Sequence, residues 1–343
     1  MAVRMAALHA RGAPYPPEIN PYSERFNPQA PAEYTERQLQ ILIDHLNTAG
    51  EIGADLVCAG EDVKGEYLFL EYFDYPHLFD QLVEEIPGRA SARIADVARK
   101  YKMNVVVTYY EREGGEIYNT AVLIDREGTI AGKYRKVHLA PGEAWRVAPG
   151  AGFPVFKTDI GRIGMAICYD MIFPETCRCL ALGGADIICH PTAGWGFPDA
   201  ALGESLVRIR AHENSVYMIV SVNCSSDERV KSCIIGNDGH ILCELPGREC
   251  GIASAVVTPD FDRNYDPDYF DTFYTDVVSI RARFALQRKP HLYSVLTADR
   301  PPLLDCYPGI EVVDRSKPDR VKSLAELRRK HMLGQLQGRR LHW

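Results

Sequence analysis

The chain has 343 residues, 46% hydrophobic and 25% charged, with a formal net charge of −7. That composition fits a globular protein with a large core, and the acidic balance argues against a nucleic-acid binder, which carries a basic stripe. No apolar run approaches the roughly 20 residues of a membrane span, and the opening Met1-Ala2-Val3-Arg4-Met5 lacks the long apolar segment of a secretory signal, so a cytoplasmic protein is expected.

In chain order, residues 3–8 read as a strand. Residues 11–33 hold six prolines and read as a long extended loop. Over 33–50, Leu39, Leu42, Ile43 and Leu46 recur at helical spacing. A strand over 53–59 ends at Gly60-Glu61. A helix over 90–101 and a strand over 104–108 follow, then a hairpin with arms 117–124 and 129–133 around Arg126-Glu127-Gly128. The apolar run 163–167 is a buried strand. A helix begins at Pro174, which suits a first helical turn; Glu175 favours that end and Gly183-Gly184 closes the other. Strand 186–190, helix 202–214 and strand 217–222 come next. A second hairpin, 231–235 with 241–244, turns at Asn237-Asp238-Gly239-His240, and 252–257 is the last core strand. Strands alternating with helices, hairpins mixed in, predict an α/β fold with a mixed sheet and exclude an all-parallel barrel. There is no internal repeat or low-complexity tract. From about residue 260 the chain turns rich in Tyr, Asp, Pro and Arg. Residues 295–343 read as an arm, whose stretch 324–336 has helical spacing and needs a partner surface to bury its apolar side.

The ten cysteines are scattered, and Cys58, Cys189 and Cys233 sit inside apolar runs, a pattern of reduced buried thiols rather than of a disulfide framework. Cys177 and Cys179, two apart on a predicted helix, point to different sides. With no CxxC pair and no HExxH run, neither a metal nor a cofactor is expected.

Cys168 is distinguished by its context, Gly164-Met165-Ala166-Ile167-Cys168-Tyr169-Asp170-Met171-Ile172-Phe173-Pro174-Glu175. It falls where a strand turns into a helix, and backbone N–H groups at such a turn lower a thiol's pKa and hold an oxyanion. Three more groups stand at or just past strand ends, where open α/β sheets place their sites. They are Glu61, Lys136 in Lys133-Tyr134-Arg135-Lys136-Val137-His138-Leu139, and Glu143 in Ala140-Pro141-Gly142-Glu143-Ala144-Trp145. Each alone has an ordinary reading: a solvated loop carboxylate, an exposed basic rim, a turn residue, a small buried hydrophobe.

Together these segments resemble the nitrilase superfamily of carbon–nitrogen hydrolases over roughly residues 3–295. The runs around Cys168 and Lys136 carry most of the likeness, supported by Asn119-Thr120-Ala121, Gly183-Gly184-Ala185-Asp186, Arg210-Ala211-His212-Glu213-Asn214 and the segment from Arg281-Ala282-Arg283 to Tyr293. The resemblance implies a four-layer αββα sandwich, with 1–294 as the hydrolase domain and the arm 295–343 as a contact in a homodimer or larger homo-oligomer. It implies a catalytic triad of Glu61, Lys136 and Cys168, with Glu143 in support and the backbone N–H of Tyr169 holding the oxyanion. One departure stands out: where the family usually has Phe-Pro before the first Glu, this chain has Ala59-Gly60, and a glycine lacks proline's fixed φ and aims Glu61 less rigidly.

The roles implied follow ordinary chemistry. Lys136 favours the thiolate, Glu61 takes the thiol proton, and Cys168 attacks an amide carbonyl to give a thioester that water then cleaves. Tyr169-Asp170 after the nucleophile stands where relatives acting on nitriles often have Trp-Glu, so the resemblance favours an amidase. Relatives acting on N-carbamoyl amino acids or α-keto acid amides often carry Arg before Pro-Glu; this chain has Met171 and Ile172, which pair no carboxylate. Arg146, Arg178 or Arg208 would have to take over that duty. Trp145, Trp195, Phe197 and Tyr67 are pocket-lining candidates, and the aromatics Tyr67, Phe69, Tyr72, Phe73 and Tyr75 with loop 11–33 are candidates to cap the entrance or meet another subunit. An N-carbamoyl amine or amino acid hydrolase, a nitrilase, an acyltransferase of the same fold and a non-catalytic binding scaffold remain open alternatives.

Overall fold

The computed structural model describes residues 2–72, 74–140, 142–194, 200–223, 231–247, 249–258, 280–298 and 301–306. Among the described residues, twelve strands form two six-stranded sheets. In the first, β1 (Val3–His9), β2 (Leu56–Cys58) and β3 (Asn104–Glu113) run parallel; β4 (Glu116–Ile124) and β5 (Ile130–Arg135) continue antiparallel from β3, and β12 (Gly251–Val257) pairs antiparallel with β1. The second repeats the plan: β7 (Gly161–Met165), β8 (Ile187–Thr192) and β9 (Tyr217–Val222) are parallel, flanked antiparallel by β6 (Val155–Thr158) on one side and by β10 (Lys231–Ile235) and β11 (Ile241–Pro246) on the other.

The two-residue period of the strands builds the layers. Val106 of β3 faces a core between the sheets, with Met5, Leu56, Ile163, Ile187 and Ile219. Its neighbours Val105 and Val107 face the opposite way, onto the apolar stripes of α1 (Ala30–Glu51) and α4 (Arg89–Tyr101), where Leu39, Leu42, Leu46, Ile94 and Ala98 are buried. On the far side Ile188, Met218 and Val220 meet α5 (Pro174–Leu182) and α6 (Ala200–Asn214) through Leu180, Val207 and Ala211. Helix, sheet, sheet, helix is the four-layer αββα sandwich that the resemblance implied.

The differences from the sequence reading are local. Loop 11–33 contains a short 3-10 turn, Pro17–Ile19, and gives way to α1 at Ala30, with Pro31 in the first turn. Strand β6 was not expected, since four residues offer little periodicity. The aromatic-rich stretch after Glu61, to which the sequence assigns no element, holds two short helices, α2 (Tyr67–Leu70) and α3 (Pro76–Leu82). Their aromatics form a cluster of their own: Phe69 and Tyr72 are buried, and Tyr22 from loop 11–33 stands edge-on to Tyr72 and Tyr75 at 6.0 and 5.3 Å. Phe73 lies outside the described residues.

Arg281, on α7 (Ile280–Gln287), ties that helix to the second half of the sandwich, 2.7 Å from Asp186. In the expected arm, Val295, Leu296 and Leu303 are exposed; residues 307–343, with the helix expected over 324–336, lie outside the described residues. Among the described residues every cysteine is a free thiol, no cluster suited to a metal is found, and no helix is long and apolar enough to cross a membrane.

Candidate active site

The central parallel strands of both sheets deliver their C-terminal ends to one place. Beyond β2 the chain runs through Ala59-Gly60 to Glu61, 6% exposed. Thr108 of β3 holds this turn from its own sheet: its hydroxyl donates to the Gly60 carbonyl at 3.1 Å and accepts the Asp62 N–H at 2.9 Å. The other sheet holds it too. Asn223 Nδ2 donates to the Glu61 carbonyl at 2.6 Å, and the Ala193 N–H donates to Glu61 Oε2 at 3.0 Å. The expectation that Gly60 would aim Glu61 loosely is therefore corrected. A Cβ at position 60 would sit 2.2 Å from Asn223 Oδ1, so the glycine makes room for the side chain that fixes Glu61 in proline's stead.

Lys136 follows β5, 1% exposed, its N–H donating to the Asn119 carbonyl of β4 at 2.9 Å. Its Nζ lies 2.8 Å from Glu61 Oε1 and 2.7 Å from Glu143 Oε2. Glu143 is equally buried, and accepts from the Ala140 N–H at 2.9 Å, Tyr110 Oη at 3.2 Å and Asn119 Nδ2 at 2.7 Å. One ammonium between two carboxylates away from water is tolerable only because the remaining lone pairs are met by donors. Burial works against the Glu61 carboxylate, but the Lys136 charge and hydrogen bonds from Lys136, Cys168 and Asn119 outweigh it and hold its pKa below the ordinary value. Burial likewise opposes the Lys136 charge, yet Glu143, Glu61 and Cys168 raise its pKa well above normal.

Cys168 opens a 3-10 turn, Cys168–Ile172, between β7 and α5. Its φ is +45°, in the left-handed region that a non-glycine residue occupies at a cost, a form of strain found where a fold displays a reactive side chain. Asp170, fully buried, secures the turn. Its carboxylate accepts from the Ile167 N–H at 2.9 Å, and from Tyr134 Oη and the His138 N–H, at 2.6 and 2.9 Å, on the segment that carries Lys136. Glu61, Lys136 and Thr192, the last at the end of β8, are the polar groups near enough to act on the acidity of the sulfur. Here the expected acidity is corrected: burial first, then the Glu61 carboxylate, push the thiol up to about 12, and Lys136 and Thr192 pull it back only in part. The resting group is a thiol beside a carboxylate rather than a preformed thiolate.

Tyr169 follows in the first turn of the 3-10 segment, where backbone N–H groups have no intrahelical partner. Its ring stands edge-on to Phe173 at 5.6 Å. Trp145 and Tyr67 are partly buried against the aromatic cluster of α2 and α3; Trp195 and Phe197 lie outside the described residues. The three candidate carboxylate-binding arginines are engaged by protein groups. Arg146 Nη2 reaches Asp80 at 2.6 Å, Arg178 donates to the Glu213 carbonyl at 2.9 Å, and Arg208 to the Gly239 carbonyl at 3.0 Å. Met171 is buried and Ile172 exposed. Sequence reasoning assigned no role to Asn119, Thr192, Asn223 or Asp170. Asn119 stood within a family-like segment and Asp170 two residues after the thiol, but nothing in the sequence pointed to Thr192 or Asn223.

The sequence model of the carbon–nitrogen hydrolase family matches residues 26–265. A Schizosaccharomyces pombe protein named "Probable nitrilase" is 32% identical over 203 residues, 57% of this chain and 74% of that protein. An omega-amidase of Homo sapiens is 29% identical over 211 residues, 56% of this chain and 74% of the relative. Among solved structures, an amidase from Nesterenkonia sp. AN1 superposes with a TM-score of 0.63 at 22% identity, covering 85% of this chain and 96% of that one, a likeness of fold.

Proposed function

Because the chain belongs to the carbon–nitrogen hydrolase family, the nitrilase superfamily, we propose that it hydrolyses the C–N bond of a small amide through a thioester on Cys168. The observation that carries this reading is the buried ion set of Glu61, Lys136 and Glu143, of which Glu61 and Lys136 both act on the acidity of the Cys168 thiol. As sulfur attacks the carbonyl carbon, Glu61 takes the thiol proton; base assistance is needed because a thiol pushed to about 12 is a poor nucleophile by itself. The carbonyl π pair moves to oxygen. Lys136 has spent two of its three N–H donors on Glu61 and Glu143, and its third, with the backbone N–H of Tyr169, meets the oxyanion, an interaction on the order of 3 kcal/mol. Collapse breaks the C–N bond while Glu61 returns its proton to the leaving nitrogen. Water, deprotonated by Glu61, then cleaves the thioester, and the sulfur recovers its proton. Glu143 holds Lys136 in place throughout.

The acyl group is uncharged near its reacting carbon in this reading, since Arg146, Arg178 and Arg208 are all engaged elsewhere and burying an unpaired carboxylate is costly. Tyr67 and Trp145 are assigned to the pocket wall. We place the hydrolase domain at 1–294 and assign 295–343 to contact with a second copy, which light scattering tests. The activity is tested by ammonia release from a panel of neutral amides (butyramide among them), N-carbamoyl amines and nitriles, with Cys168→Ala as control. Amide turnover that vanishes in the folded variant is expected. Turnover surviving in Cys168→Ala refutes the assignment, and exclusive turnover of nitriles or of acyl transfer to an added amine replaces it with one of those activities.

A further inference from the structure

We propose that Asn119 is a positioning residue that steers the thiol proton onto Oε2 of Glu61 and keeps that carboxylate ready to receive it; the inference rests on Glu61 being the base for Cys168. Asn119 lies on β4, 1% exposed. Its two amide hydrogens are divided between two acids, with Nδ2 2.9 Å from Glu61 Oε1 and 2.7 Å from Glu143 Oε1. The reversed amide would set a carbonyl oxygen against two carboxylate oxygens, so the orientation is dictated by its neighbours. The Asn119 backbone carbonyl takes the backbone N–H of Lys136 at 2.9 Å, so one residue touches both carboxylates and the main chain that carries the ammonium.

The two oxygens of Glu61 are thereby made unequal. Oε1 carries donors from Lys136 at 2.8 Å and from Asn119. Oε2 has the Ala193 N–H at 3.0 Å and keeps a lone pair. When the S–H bond breaks, its electron pair stays on sulfur and forms the bond to carbon, and the proton forms its O–H bond at Oε2. Protonating Oε1 instead would displace Lys136 or Asn119. The same Oε2 proton then passes to the leaving nitrogen, and no further reagent is required. Asn119 also bridges Glu61 and Glu143, and without it their mutual repulsion draws a proton onto the pair at higher pH.

The other ionisable groups facing Glu61 are Tyr110 on β3, Lys136 after β5, Glu143 in the loop beyond, Cys168 after β7, His190 on β8 and the adjacent Asp62. Tyr110 donates to Glu143, and His190 Nδ1 is engaged at 2.9 Å with the Ala166 carbonyl, so neither substitutes for Asn119 at Oε1.

The test compares wild type, Asn119→Ala and the isosteric Asn119→Asp in two pH series: kcat/KM for butyramide, and the rate of Cys168 alkylation by iodoacetamide read by peptide mass. Melting curves establish which variants are folded, and Asn119→Asp serves where the cavity left by alanine unfolds the chain. The acid limb of both series is expected to move up by about one pH unit in Asn119→Ala and further in Asn119→Asp, with kcat reduced and KM little changed. A folded variant whose limb stays in place overturns the role of Asn119 and leaves the hydrolase reading standing. A wild type that alkylates at Cys168 yet hydrolyses no amide overturns the hydrolase reading, and the alkylation series still decides for or against Asn119.

Discussion

Replacing Gly60 by alanine tests how Glu61 is aimed. The new Cβ would lie 2.2 Å from Asn223 Oδ1 and 3.0 Å from its Cγ, too close for either to stay. Asn223 must swing away, and its 2.6 Å hydrogen bond to the Glu61 carbonyl is lost. An orphaned carbonyl at a partly buried site costs about 1–3 kcal/mol. Displacing a reacting group by on the order of 1 Å costs about 100-fold in rate, so kcat should fall by roughly ten- to a hundredfold. Asn223→Ala loses the same bond without the clash. In the double variant the two closest atoms, Asn223 Oδ1 and Cγ, are gone, and the backbone nitrogen of residue 223 at 3.1 Å is a contact that small shifts accommodate. The double variant should therefore resemble Asn223→Ala alone, giving a coupling of about 1–2 kcal/mol in a urea-unfolding cycle. Single effects that simply add, or a Gly60→Ala chain with unchanged stability and kcat, would refute the idea that the glycine exists to admit Asn223.

Removing the ammonium should do more damage than removing a neutral partner. Lys136→Met leaves Glu61 and Glu143 buried without their counter-charge, and a loss of about 3–5 kcal/mol in urea unfolding is expected; a loss under about 1 kcal/mol would mean that water reaches the carboxylates. Asp62 should give the fold a pH dependence. Burial, then the nearby Glu66, push its pKa from 3.8 up to about 7. Its folded value is above its unfolded one, so its contribution to stability is full below pH 3.8 and is lost as pH rises through about 7. Urea midpoints measured at about pH 5.5 and 8, on either side of that folded value, should differ less in Asp62→Asn than in wild type, and an unchanged difference would count against that shift. For Glu61 the sign is opposite: its lowered pKa places the acid limb of kcat/KM below 4.5, so a limb near neutrality in wild type would contradict its assignment as the base.

The elements most legible in the sequence were those whose apolar residues keep one period for several turns, such as Leu39, Leu42 and Leu46 of α1, or those with an unmistakable start, such as Pro174 of α5. The division into two facing sheets is not legible from periodicity, because the central strands are buried on both faces, as β9 is at every residue, and so show no clean alternation. Glu61, Lys136, Glu143 and Cys168 stand at or past strand ends, but each has an ordinary reading alone, and it is the family resemblance carried by the runs around Lys136 and Cys168 that singles them out. Their supports were hidden by distance along the chain: Asn223 is 162 residues from the Glu61 carbonyl it holds, and Ala193 is 132 from the carboxylate it serves. The low acidity of Cys168 is hidden from the sequence for a related reason. A local reading sees the turn's N–H groups, whereas the larger influences, burial and the Glu61 carboxylate, come from the assembled fold.

A covalent adduct would decide whether Cys168 does what is proposed. Glu143→Gln, which slows thioester cleavage if Glu143 keeps Lys136 in register, is incubated with butyramide, quenched in acid and mapped by peptide mass. An acyl group on the peptide containing Cys168, absent when that residue is alanine, is the predicted result. Ammonia released at the wild-type rate with the sulfur never modified would contradict it.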